Sequence, residues 1–179
     1  MRKLMTCLLL LCSLLLSQQI QAQELTYEQA AATNWVLNEA NTPLSEEQAI
    51  SYVQHAYLQA TKYSIDPIHI LAMMRVESRF NHKARSSENA QGLMQVIPKY
   101  HKAALAKRSP YDPLVSIEVG TSIYNDCLQR FKGNTLRATS CYSGGGGRKY
   151  YSLIEEQKKK LMKHLIVQLF QSDDLVASR

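Results

Sequence analysis

Apolar residues recur at three- and four-residue intervals along most of this chain, in stretches of helix length separated by short polar breaks. Residues 27–39 form the first stretch, rich in Ala and Glu, with Trp35 and Leu37 available for packing. Asn41-Thr42-Pro43 breaks it. Ser45-Glu46-Glu47-Gln48 is a capping-box pattern opening a helix over 45–63, where Ile50, Val53, Tyr57 and Leu58 keep helical spacing. Asp66-Pro67 starts another helix. Asp caps free backbone N–H groups, and Pro suits the first helical position. Residues 81–91 have no period and read as loop. A short helix is predicted over 98–107, then the turn Ser109-Pro110-Tyr111-Asp112-Pro113. A longer helix over 115–131 closes at Gly133, and a short one spans 135–141. Ser143 and Gly144 to Gly147 read as a flexible break. The last helix, 150–171, carries Ile154, Leu161, Leu165 and Leu169 on one side, and a frayed tail, 172–179, comes after it. No strand pattern and no repeat is visible. The fold class expected is all-α, a compact helical domain.

The N-terminus changes the compartment. Arg2 and Lys3 precede a leucine-rich run, and a polar stretch ends at Ala22. This is the pattern of a cleavable secretory signal peptide over 1–22, with export to the periplasm or medium. The apolar run is short of a membrane span. The mature part, about 157 residues, suits one domain. No later stretch could span a membrane, and a monomer is expected. Without Arg2 and Lys3, 19 basic side chains face 15 acidic ones. That excess suits an anionic polymer such as the cell wall. Nucleic acid fits less well, because no binding motif accompanies the charge. Cys127 and Cys141 remain after cleavage, an even pair in an exported chain. A disulfide is expected, closing a loop of about 15 residues worth roughly 3 kcal/mol; the alternative is two buried thiols.

The helix after Asp66 carries one carboxylate in an unusual place. At about 100° per residue, Ile70, Met73 and Met74 lie within roughly 60° of Glu77. Arg75 and Arg79 fall about 160° away on either side. A carboxyl on an apolar face resists ionisation, as a general acid near neutral pH requires. The geometry alone equally admits a structural ion pair with a base from another element. Asp66, Glu88 and Asp112 are the candidates for a second carboxylate; Asp66 reads as a cap, Asp112 as part of a proline turn, and nothing types Glu88 as a nucleophile. The five histidines show no metal-ligand spacing and read as surface residues. Neither a metal nor a cofactor is expected. Lys158, Lys159, Lys160 and Lys163 read as the solvated face of the last helix.

Glu77-Ser78-x-Phe80, Ala84-x-Ser86 and Ala90-x-Gly92-Leu93-Met94-Gln95-x-x-Pro98 together resemble the lytic transglycosylase domain, a goose-lysozyme-like family that cleaves peptidoglycan. The resemblance covers most of the mature chain. It implies a lysozyme-like helical domain with a sugar groove over 64–171, packed as one globule with an N-terminal helical segment, 23–63. It implies that Glu77 is the single catalytic acid/base, that Ser78 positions the substrate or the carboxyl, and that Gly92, Leu93, Met94 and Gln95 line the groove. Cys141-Tyr142-Ser143-Gly144-Gly145 is similar to the family's Ala-Tyr-Asn-x-Gly segment, so Tyr142 is expected to reach toward Glu77. Cys141 and Ser143 stand where Ala and Asn are usual. Gly120 is expected to allow close packing beside the active-site helix. The implied reaction cleaves the β-1,4 bond between N-acetylmuramic acid and N-acetylglucosamine with a 1,6-anhydro product. Hydrolysis on the same fold is the alternative. A wall-binding role without cleavage is another. Small exported members open the wall for secretion, pilus or conjugation machines, which would be the partners here.

Overall fold

Side-chain caps set where the helices begin. The computed structural model describes residues 25–177; the signal peptide expected over 1–22 lies outside the described residues. Thr26 and Gln29 form a capping box ahead of α1 (Tyr27–Glu39), and Ser45 and Gln48 form another ahead of α2 (Glu46–Lys62). Asp66 accepts from the Ile68 N–H at 3.0 Å and, with Pro67, opens α3 (Pro67–Ser78). The stretch 98–107 keeps only one turn of helix, α4 (Lys102–Leu105), because His101 gives no side-chain cap and Ala106 turns left-handed at φ 47°. Asp112-Pro113 repeats the Asp-Pro start for α5 (Pro113–Arg130), and Asn134 caps α6 (Thr135–Tyr142).

The last helix, α7 (Gly147–Ala177), starts earlier and ends later than its apolar pattern suggests. The glycine run before it is a hydrogen-bonded turn rather than a loose break. Gly144 N–H donates to Cys141 O at 3.1 Å, Gly145 N–H to Ser140 O at 2.9 Å, and Gly146 N–H to Ser143 Oγ at 2.8 Å. Ile154, Leu161 and Leu165 of α7 are buried, but Leu169 is 49 % exposed, so the core-facing stripe ends one turn early.

α3 is the central element. Ile70, Leu71, Ala72, Met73 and Met74 are all fully buried, since α7 packs along it on one side and α2 on another. Each large apolar side chain so buried contributes about 1.5–3 kcal/mol. α5 lies across α2 and α6, and α1 packs on α2 and α7. One core runs from Ala32 and Val36 in α1 to Leu161 in α7. A disulfide, Cys127–Cys141, joins α5 to α6 with the Cα atoms 5.9 Å apart. Among the described residues there is no strand; isolated bridges of Gln91 with Arg85 and with Val96 fold the loop after α3 onto itself. No helix among them is long and apolar enough to cross a membrane.

Candidate active site

Glu77 stands in the last turn of α3, where the buried helix reaches the surface of the core. Its neighbours in sequence set the path of the chain beyond it. The Ser78 hydroxyl donates to Met74 O at 3.1 Å and to Leu93 O at 2.9 Å, tying the helix end to the Gly92–Gln95 turn. Ser78 is 7 % exposed and does not face the open space; it positions the turn. Arg79 and Phe80 then both adopt left-handed backbone, at φ 50° and 61°. Such a pair costs on the order of 1–3 kcal/mol per residue. Burial of Phe80, edge-on to Trp35 at 5.6 Å, offsets that cost and turns the chain sharply away from α3.

The turn is built for close approach. Gly92 has φ 77°, and a Cβ there would sit 1.9 Å from Pro110 O. The Met94 N–H donates to Ser116 Oγ at 3.0 Å. A Cβ on Gly120 would lie 2.4 Å from Met94 Cβ, so Gly120 makes room for this turn. Leu93 and Met94 are fully buried. Of the four turn residues expected to line the groove, only Gln95 does; its amide donates to Gly92 O at 3.0 Å and Ala84 O at 3.3 Å.

Between this turn and the opposite wall lies a cleft of about 690 Å³. Glu77, Gln95, Ile123, Tyr142, Ser143 and Tyr150 are among the residues that line it. Tyr142, expected to reach toward Glu77, lines the cleft, and its hydroxyl donates to Met94 O at 2.6 Å. The hydroxyl that meets Glu77 is that of Tyr150, which donates to Oε1. Tyr150 escaped the sequence reading because 73 residues separate it from Glu77. Its only signal is its place in the first turn of the last helix, after the glycines.

Burial pushes the Glu77 carboxyl up to about 7, and the hydrogen bond from Tyr150 acts in the opposite direction. The two nearby arginines leave it alone: Arg75 pairs with Glu39 at 2.6 Å, and Arg79 is exposed at the helix end. Among the described residues Glu77 has no ion-pair partner. The structural ion pair that helix geometry left open is therefore absent there. Asp126 is the other carboxylate on the cleft wall, and it is exposed. Glu88 is exposed outside the cleft, while Asp66 and Asp112 cap helices.

The sequence profile of the Transglycosylase SLT domain matches residues 55–166. The chain belongs to this family. The matched span begins inside α2 and reaches far into α7, so it holds Glu77, Tyr142 and Tyr150 together. Relatives include the membrane-bound lytic murein transglycosylase C of Actinobacillus pleuropneumoniae serotype 5b, 40% identical over 67 residues, 37% of this chain and 18% of that protein. The protein of the same name from Yersinia enterocolitica is 30% identical over 105 residues, 53% of this chain and 29% of that protein. The chain thus spans under a third of the length of these relatives. A solved structure of an inactive mutant of lytic transglycosylase Slt from Pseudomonas aeruginosa aligns with a TM-score of 0.49 and 21% identity, over 67% of this chain and 24% of that one.

Two other surface expectations change. None of the histidines is fully exposed. His69 is 3 % exposed, stacked on Tyr124 at 4.8 Å, and burial holds its pKa down to about 4, with Lys158 adding to the effect. Lys158 is not on a solvated face either: it pairs with Asp66 at 3.3 Å across to α3, whereas Lys159, Lys160 and Lys163 are exposed.

Proposed function

We propose that this chain is a peptidoglycan lytic transglycosylase with Glu77 as its single acid/base. The observation that carries the reading is a half-buried carboxyl, protonated up to about pH 7, on the wall of a cleft with no second carboxylate committed beside it. Family membership supports it, as do the names of the relatives. Protonated Glu77 donates to the glycosidic oxygen as the C1–O bond breaks. The carboxylate so formed accepts the proton of the muramic acid C6 hydroxyl as that oxygen bonds to C1. The product is a 1,6-anhydro end, and Glu77 is returned protonated. The substrate supplies the nucleophile, so one carboxylate suffices. Tyr150 steadies the charged intermediate form of Glu77 through its hydrogen bond, and Gln95 and Tyr142 hold the walls on which the sugars rest.

The reading includes action in the periplasm or outside the cell. It extends, on the resemblance alone, to opening the wall for a secretion, pilus or conjugation machine. Mass spectrometry of products from purified sacculi tests the chemistry. Wild type should release anhydro ends, and Glu77→Gln should be slower by about 10²–10⁴. Reducing ends in place of anhydro ends would make the enzyme a hydrolase, and full activity in the variant would remove Glu77 from the mechanism.

A further inference from the structure

A second cavity, of about 500 Å³, adjoins the cleft and shares Arg130, Cys141 and Gly144 with its wall. Its lining is chemically one-sided. It carries three arginines, Arg130, Arg137 and Arg148, and no acidic residue. None of the three joins an ion pair among the described residues. They come from the end of α5, the first turn of α6 and the first turn of α7, so three separate elements converge to bring like charges to one hollow. Like charges gathered without counterions raise the energy of the free protein, and an anion relieves it. Arg137 is partly preorganised, with its guanidinium 4.6 Å from the centre of the Phe131 ring, itself part of the lining. Guanidinium groups match planar carboxylates in a fork that a point charge lacks.

We propose that this cavity is a subsite for the carboxylates of the peptides borne on the glycan, lying beside the sugar cleft. The assignment rests on the proposed glycan substrate: such peptides hang from the muramic acid lactyl groups, next to the bond that Glu77 would cleave. A glycan strand in the cleft would then present its peptide across the edge marked by Arg130 and Cys141. Charge, position and shape agree on a carboxylate-bearing chain, where a bare sugar would need no arginine triad.

Two arms test this separately from the cleavage reading. In the first, catalytically silenced Glu77→Gln protein is sedimented with intact sacculi and with sacculi whose carboxylates have been converted to amides. Binding should weaken about tenfold on amidation, and Arg137→Gln/Arg148→Gln in the same background should lose that difference, each arginine accounting for a factor of about three to five. In the second arm, active protein is assayed on peptide-bearing glycan and on glycan stripped by an amidase. The double variant should lose the wild-type preference in KM for the peptide-bearing form while keeping kcat. Equal binding of the silenced protein to native and amidated sacculi overturns the subsite, as does an undiminished preference in a double variant that melts like wild type. Absence of cleavage by wild type overturns the cleavage reading and leaves the sedimentation result to decide the subsite.

Discussion

Glu77 is held in its acid form by where α3 stops. One turn earlier it would be sealed in the core beside Met73 and Met74; two residues later it would share the solvent with Arg79. That position has a stability signature. The carboxyl ionises near 4.5 unfolded and near 7 folded, so the folded state binds the proton more tightly. Its contribution is complete below about pH 4.5 and is lost as pH rises through 7. Glu77→Gln cannot ionise. The variant should match wild type at pH 4 and exceed it at pH 8 by about 3 kcal/mol. Thermal melts at the two pH values read the difference; a constant gap would refute the shift. Tyr150→Phe probes the same carboxyl from the other side. Loss of the hydroxyl removes the one contact that favours the charged form, so the alkaline limb of the pH–rate profile should move up and kcat should fall about tenfold. An unmoved limb would place Tyr150 outside the proton chemistry.

At the scale of elements, the Gly92–Gln95 turn shows how a motif can be right while its residues do other work. Leu93 and Met94 face the core, Ser78 and Tyr142 clasp the turn by its carbonyls, and Gly120 gives it room. Gly120→Ala should destabilise by about 1–3 kcal/mol through overpacking. Adding Met94→Ala to it should cost less than Met94→Ala adds to wild type, and urea unfolding of the four proteins measures that coupling. Additive costs would mean that the two residues do not press on each other. The same contrast between local and tertiary causes decides what is legible in the sequence. Helix starts are, because Ser45, Asp66 and Asp112 act on amides two or three residues away. The inward aspect of Glu77 is, because it derives from helical period. The partner of its carboxyl is not, because Tyr150 arrives on a helix fixed only by tertiary packing. The far end of the last helix is also hidden: beyond Leu165 the apolar residues Ile166, Val167, Leu169 and Phe170 are exposed, and periodicity marks only an inward stripe.

At the scale of the whole molecule, the site depends on a helix outside the matched domain. α1 lies before residue 55, where the family match begins. Yet Trp35, in α1, is 3 % exposed and packs edge-on against Phe80, the residue that holds the left-handed turn after Glu77. Ala32 and Val36 are fully buried in the same core as α3 and α7. If α1 were an appendage, it would unfold first and the remainder would melt later. If it is part of one cooperative unit, its loss and the loss of α3 are the same event. The chain carries a single tryptophan, so fluorescence reports α1 and its contact alone, while far-ultraviolet dichroism reports all the helices. The two melting curves of the protein should superimpose, with midpoints within about 1 °C. A fluorescence transition several degrees below the dichroism transition would show α1 undocking on its own. Activity should then disappear with the fluorescence signal, because the turn that places Glu77 at the cleft would have lost the ring that holds it.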